Sequence, residues 1–535
     1  MVCLREHRRA WLAQFFIAMT IFCGMALATP PTLVINQPTT KDAEELSIAI
    51  NPANPAQLAG GANLAYHYRS TDGGTSWTEN WMVSPLGVAG DPCLIYDSSG
   101  NLYYSHLSNP FGGSWLDRIV VQKSVDNGMT WDDGYGVGLN GAKDQDKSWL
   151  AADRTGSAYQ DNLYLAWTEF DTYGSTLASD STRILFSRSV DQSATWTTPV
   201  RVSDRGGNCI DEDETVEGAT PTVGPLGQVY LAWSGHDKIM FDKSLDGGVT
   251  FGADIQVTTQ PGGWDFSIPG IWRCNGMPIT VCDVSNSPYR GRIYVVFSDQ
   301  RNGTNNTDVF VCTSDDEGDT WSDPIRVNDD VGATQQFFPW LAVDPKSGVV
   351  AVVFYDRRNT AGAATDVTVA LSSDGGESFN NMTVSESSFT PSASVFFGDY
   401  IGIDSYDGVA HAIWMAMDQG DLSVWTATVA LPSGVHNRTQ SVTQTSLVMK
   451  VPSTTTSRNT RIAFTTHHDA EVRLSVFDVR GRLVRNLVGE SRSAGEYTEL
   501  WDGTDRSGGA ASSGMYIVRL QAGNDVVTKK VIVVQ

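Results

Sequence analysis

The sequence is short of positive charge, of paired cysteines and of helical periodicity. Lys and Arg total 37 against 61 Asp and Glu, for a formal net charge of −24. So acidic a chain excludes nucleic acids and anionic membranes as partners, because both repel it. No Cys-x-x-Cys and no histidine-rich cluster occurs among the 7 cysteines and 8 histidines. That excludes zinc sites of familiar spacing, and no metal is assigned on that basis. Beyond the N-terminus no segment is apolar enough to cross a bilayer.

The N-terminus itself reads as a secretory signal. Arg5, Arg8 and Arg9 precede an apolar run from Trp11 to Leu27, and Ala26-Leu27-Ala28 offers a small-x-small cleavage site. Cleavage after Ala28 leaves 507 residues with a net charge of −26, since three arginines and Glu6 depart. Five cysteines stay: Cys93, Cys209, Cys274, Cys282 and Cys312. The close pair Cys274/Cys282 is the expected disulfide in an oxidising compartment.

One octapeptide recurs six times. It begins with Ser70-Thr-Asp72-Gly-Gly-Thr-Ser-Trp77 and returns with its aspartate at Asp126, Asp191, Asp246, Asp316 and Asp374. Its parts suit a hairpin: the carboxylate accepts backbone N–H groups of its own turn, Gly supplies positive φ, and the aromatic anchors the turn. These aspartates are therefore read as structural. Around each copy run four short strands, such as Leu163-Tyr-Leu-Ala-Trp167, with a repeat length typical of propeller blades. A unit opening at Gly398-Asp399-Tyr400 has three strands and no octapeptide. Thr32–Asn36 resembles the strands that follow the octapeptides and is expected to complete it. Seven blades follow, with six as the alternative.

The pattern Ser-x-Asp-x-Gly-x-Thr/Ser-aromatic resembles the Asp-box of sialidase-like propellers. Residues 29–431 are assigned to that all-β domain, 432–446 to a polar linker, and 447–535 to a small Ig-like β-sandwich. In the last, Val476-Phe-Asp-Val-Arg-Gly481, Trp501-Asp-Gly-Thr-Asp505 and Ser513-Gly-Met-Tyr516 resemble the Ig-like domain named for the flagellar hook-capping protein FlgD. Similar domains end many exported proteins of Gram-negative bacteria, some as type IX sorting signals. This resemblance implies secretion or surface display and a partnership with outer-membrane secretion machinery.

Residues expected at the ligand face precede each blade's first strand or follow its second. The first set is Glu44/Glu45, Asp91, Asp146/Lys147, Glu217, Asn275, Phe338 and Asp399/Tyr400; the second includes His106, Glu169, His236, Asp299/Arg301 and Asp356/Arg357/Arg358. The sialidase resemblance implies an arginine clamp for a sugar carboxylate, a tyrosine nucleophile beside a glutamate, and an aspartate acid/base. Arg301, Arg357 and Arg358 take the clamp role, with Asp299, Asp356 and Asp399 beside the substrate, and Tyr400, Glu217 and Asp91 take the catalytic ones. The Phe/Tyr-Arg-Ile-Pro segment of sialidases is absent; Glu45-Leu-Ser-Ile stands there. Trp149, Trp264, Trp272 and Trp340 are candidate sugar platforms, with Trp272 in the 262–274 insertion as a substrate contact. Asp211-Glu-Asp-Glu214 makes Ca²⁺ a candidate ligand; no other cofactor is implied. The reading is a propeller acting on or binding glycans or glycoproteins, in its finest form an exo-α-sialidase. The alternative is a non-catalytic surface propeller for adhesion or for binding proteins or glycans.

Overall fold

The structure, a computed structural model, describes residues 30, 32–41, 43–433, 448–451, 454–455, 460–466, 470–478, 482–493, 495–522 and 525–533. The signal segment 1–28 and nearly all of 432–446 lie outside them. The chain divides into two compact units, Met1–His436 and Asn437–Gln535. Among the described residues every regular element is a strand, and no helix is long and apolar enough to cross a membrane.

The first unit holds seven four-stranded antiparallel sheets. Their first strands are Ser47–Ile50, Cys93–Tyr96, Asp144–Ala152, Glu217–Val223, Ile279–Cys282, Gln336–Val343 and Gly402–Tyr406. Each first strand touches that of the next sheet, and the seventh touches the first, so the sheets close a cycle, a β-propeller. The seventh sheet takes its fourth strand from the N-terminus: Thr32–Thr39 pairs antiparallel with Asp421–Ala430. Second strands such as Leu163–Phe170 and Val350–Asp356 are buried along their whole length between neighbouring sheets, which is why they open with apolar runs, Leu163–Trp167 and Val350–Tyr355.

The six octapeptides form the turns between third and fourth strands. In the first, Asp72 Oδ1 accepts the Ser76 N–H at 2.9 Å and Asp72 Oδ2 the Ser76 hydroxyl at 2.6 Å, while Ser70 Oγ accepts the Gly74 N–H. The same bonds recur around Asp126, Asp191, Asp246, Asp316 and Asp374. Gly318 shows why glycine sits in the turn. Its φ is +85°, and a Cβ there would fall 2.2 Å from Phe241 of the preceding sheet. The third repeat differs: Ser193 holds that place at φ 69° and accepts the Trp196 indole N–H at 3.0 Å.

First strands begin with a kink. Register shifts fall at Asp146/Trp149, Glu217/Thr220 and Phe337/Trp340, where Lys147, Gly218 and Phe338 have positive φ. Glu45 and Asp91 share that backbone state ahead of the first and second sheets. A bulge re-aims side chains, and here it turns them off the sheets toward the centre of the ring. In antiparallel order this end lies opposite the octapeptide turns.

The expected Cys274–Cys282 disulfide is not formed; all five cysteines of the described residues are free and buried. Cys282 packs between the fourth and fifth sheets, whereas Cys274 belongs to a two-stranded ribbon on a different core cluster. Closeness in sequence therefore does not bring the sulfurs within disulfide reach.

The second unit is a sandwich of a three-stranded sheet and a five-stranded sheet. Trp501 is fully buried between them with Ile462, Leu474, Val518 and Val531, and its indole N–H reaches the Thr504 carbonyl at 2.9 Å. Asp505 holds the following turn by accepting the Ser507 and Gly509 N–H groups.

Candidate functional site

The kinked strand starts converge on two connected spaces. Asp91, Lys147, Asn275, Phe338, Asp399 and Tyr400 line a pit of about 510 Å³, open space included. A wider groove of about 1090 Å³, again with open space, shares Asp91 and Lys147 with the pit and adds Glu44, Glu45, Asp146, Trp272 and Arg273.

The pit floor is a charge network centred on Asp399. Lys147 is ion-paired to Asp399 and lies 3.4 Å from Glu45 and 3.5 Å from Asp91. Arg273 Nε donates to Asp399 Oδ1 at 3.0 Å and Nη1 to Asp211 at 2.9 Å, and Asn275 donates to the Asp399 side chain and carbonyl. Asn63 fixes the far side, donating to Glu45 at 2.6 Å and accepting the Asp91 N–H at 2.7 Å. Burial pulls Asp399 upward, but Arg273 and Lys147 together overcome it and hold the carboxyl well below the ordinary range. Desolvation likewise opposes the Lys147 charge, and Asp399, Asp91 and Glu45 outweigh it, so the ammonium stays protonated.

Other carboxyls of the site move the opposite way. Desolvation, followed by repulsion from Glu45, raises Asp91 well above the carboxylate range despite Lys147. Asp146 is pushed up to about 6, chiefly by burial. Glu217 is fully buried behind the pit, where burial and then Asp211 and Asp146 raise it well above normal. Neither Glu217 oxygen meets an N–H or O–H donor. Tyr400 donates to the Pro92 carbonyl at 3.3 Å, and burial, then Asp91 and Glu45, raise its phenol well above 10.0. That environment keeps it protonated, opposite to what a phenolate nucleophile needs.

Aromatic rings form one wall. Trp149 and Trp340 have centroids 4.3 Å apart, and Tyr400 stands 5.4 and 5.7 Å from them. Trp264 is buried, its N–H bound to the Thr215 carbonyl, so it is no platform. The 262–274 insertion is held down by buried Ile268 and Ile271 and by Arg273, which makes it fixed structure beside the pit rather than a loose lid.

The residues after second strands do not join this centre. Arg301 forks onto Asp299. Arg358 binds Asp356, Asp329 and Asn381. Arg357 is buried over the Phe337 ring with Thr365 and Gln335 as partners, and desolvation lowers it to about 10. None of the three lines the pit or groove. His106 is buried against Leu107 and Gln122 and lowered by desolvation to about 4. Glu169 pairs with Arg183 and Lys143, and His236 with Glu214.

The acidic run 211–214 disperses: Asp211 to Tyr173 and Arg273, Glu212 to Asn208, Asp213 to the Asp265 N–H, and Glu214 to His236. Among the described residues no group of three His, Cys, Asp or Glu side chains is placed to hold a metal. Sequence reasoning missed Arg273 as the partner of Asp399, although it sits in the insertion singled out for Trp272. It also missed Trp115, which lines the groove.

No curated protein matches the chain. Solved structures similar to it include a protein of unknown function from Dyadobacter fermentans, 15% identical over 64% of this chain and 97% of that one, TM-score 0.43. An α-L-arabinofuranosidase from Fusarium graminearum is 14% identical over 75% and 98%, TM-score 0.43. The NanB sialidase of Streptococcus pneumoniae is 11% identical over 70% and 82%, TM-score 0.39. Residues 450–525 match the FlgD Ig-like domain, and that family describes the second unit.

Proposed function

We propose that the first unit is a seven-bladed propeller, one blade per four-stranded sheet, whose pit binds and hydrolyses a glycan with paired carboxyl groups. Asp91 carries the reading. It is a carboxyl raised well above its normal value, yet it opens into a cavity walled by Trp149, Trp340 and Tyr400. A buried carboxyl that keeps its proton near neutrality can protonate a leaving glycosidic oxygen. Asp146, in the same groove and at about 6, gives up its proton more readily and can take one from water. The aromatic wall suits the apolar faces of a sugar ring.

The sugar is uncharged in this reading. Lys147 is paired with Asp399 and Glu45, and Arg273 with Asp399 and Asp211, so a sugar carboxylate would meet carboxylates where a sialidase needs free guanidinium groups. A second reading, a non-catalytic binding propeller, is favoured by that same closed network, which leaves Asp399 no free acceptor for chemistry.

The test is hydrolysis of a panel of fluorogenic glycosides, one of them a sialoside, by the mature chain. Release from a neutral glycoside is expected to fall about 100-fold or more in Asp91→Asn and to survive Tyr400→Phe and Arg357→Ala. Sialoside release abolished by the latter two would establish the exo-α-sialidase instead. Silence across the panel, with retention on a glycan array, would establish the binding propeller. Export belongs to the same proposal: residues 1–28 direct it and the C-terminal domain serves sorting or display. Deleting 447–535 and locating the chain in a Gram-negative host tests that part.

A further inference from the structure

Two tryptophans stand in water where the groove opens. Trp115 is 56% exposed and Trp272 is 66% exposed, and both line the groove that contains Asp91 and Asp146. An indole is among the largest apolar surfaces a chain can bury, so neither exposure is what folding alone would select.

The backbone holds both rings out. Leu116, the residue after Trp115, is 1% exposed at φ 59°, a state that a bulky side chain adopts only when its surroundings impose it. Its N–H binds the Ser108 carbonyl at 3.1 Å and its carbonyl accepts the Gln145 N–H at 2.7 Å. With Leu116 pinned inward, Trp115 is directed outward. Trp272 sits between buried Ile271 and ion-paired Arg273, with its ring edge-on to Phe396 at 5.8 Å. Trp115 comes from the connection between strands two and three of the second sheet, Trp272 from the connection between the fourth and fifth sheets. Those places belong to different sheets of the cycle and meet along the one groove.

We propose that the groove receives the interior of a polymeric, uncharged glycan, one sugar ring stacked on Trp115, another on Trp272, and the sugar between them over Asp91. This rests on the glycan reading above and adds that the substrate is a long chain gripped at two points rather than a terminal sugar. Flat indole faces match the C–H faces of pyranose or furanose rings, and two fixed platforms flanking a carboxyl pair suit binding of a run of residues rather than of a chain end.

The experiment is affinity electrophoresis of the full chain in soluble arabinan, xylan, galactan and mixed-linkage β-glucan. It is followed by calorimetry with the monosaccharide and hexasaccharide of whichever polymer retards it. The hexasaccharide is expected to bind at least about tenfold tighter than the monosaccharide. Trp115→Ala and Trp272→Ala each remove most of that gain and leave thermal unfolding unchanged, since both side chains are largely in solvent. Equal affinity for the two lengths, or a length gain that survives both substitutions, overturns the inference while the glycan reading stands. No retardation by any polymer, with no hydrolysis and no monosaccharide binding, overturns both.

Discussion

Aspartates in the turns at one end of these sheets hold their charge, whereas Asp91 and Asp146 at the other end resist it. Among the turn aspartates, Asp72 falls to about 2 and Asp191 is lowered, in both chiefly through the hydroxyl four residues on, Ser76 or Thr195. In Asp126, Asp246 and Asp316 desolvation is the larger single influence and acts upward, yet hydroxyl and N–H donors together outweigh it. At the pit and groove, Asp91 Oδ2 accepts no hydrogen bond and Asp146 accepts the Lys147 N–H at 2.8 Å; burial among other carboxyls prevails, and both rise. The side chain is the same. Donor supply makes an aspartate a staple, and burial among other carboxyls makes a proton carrier.

The comparison breaks most severely at Lys147. Replacing it by Met strands Asp399, Asp91 and Glu45 in a buried space, and chemical denaturation is expected to show a loss of about 3–5 kcal/mol. A turn aspartate costs less. Asp374→Ala leaves the Ser378 N–H and hydroxyl without their acceptor and should cost about 1–3 kcal/mol, with glycoside turnover at saturation unchanged because the turn faces away from the pit. If turnover falls with it, the two ends are not independent.

Asp146 sharpens the contrast through pH. Its folded value of about 6 lies above its ordinary 3.8, so its contribution to stability is full below about pH 4 and is lost as pH rises through about 6. Asp146→Asn should therefore match wild type at pH 4 and exceed it by about 3 kcal/mol at pH 8, read from melting curves at both. Asp72 runs in reverse and is the smallest effect. Its lowered value gives stability that is present above 3.8 and lost as pH falls through about 2. Asp72→Asn should flatten that part of the acid limb of the melting profile, lying slightly below wild type at pH 7 and converging with it as pH falls through about 2.

What could be read beforehand follows the reach of each interaction. The six turns are local, each complete within eight residues, so spacing alone exposes them. The closing strand was legible because Thr32–Asn36 resembles the strands after the octapeptides. Positions before first strands were legible too, since a kink at a matching place in five sheets sends Glu45, Asp91 and Lys147 to one centre with Asp399. The arginines were not. Arg301 and Arg358 each stand two residues beyond an acid, Asp299 or Asp356, and that neighbour captures them. Arg273 meets Asp399 and Asp211 across three separate loops, and no spacing announces such a meeting. Cys274 and Cys282 mislead for the same reason in reverse: near in sequence, they belong to different packing environments.

The pairing of Thr32 with Ala427 also sets the order of events when the chain folds. The first strand to be made must wait, unpartnered, for almost the last strand of the ring. Every intermediate therefore carries an open seam, with one free edge on Asp421–Ala430 and another on Thr32–Thr39. Bringing ends so far apart together is slow by its topology, and an unclosed ring offers those edges to other chains. The seam thus acts as a checkpoint on completeness: a chain truncated before residue 421 can form six sheets and still not close the circle.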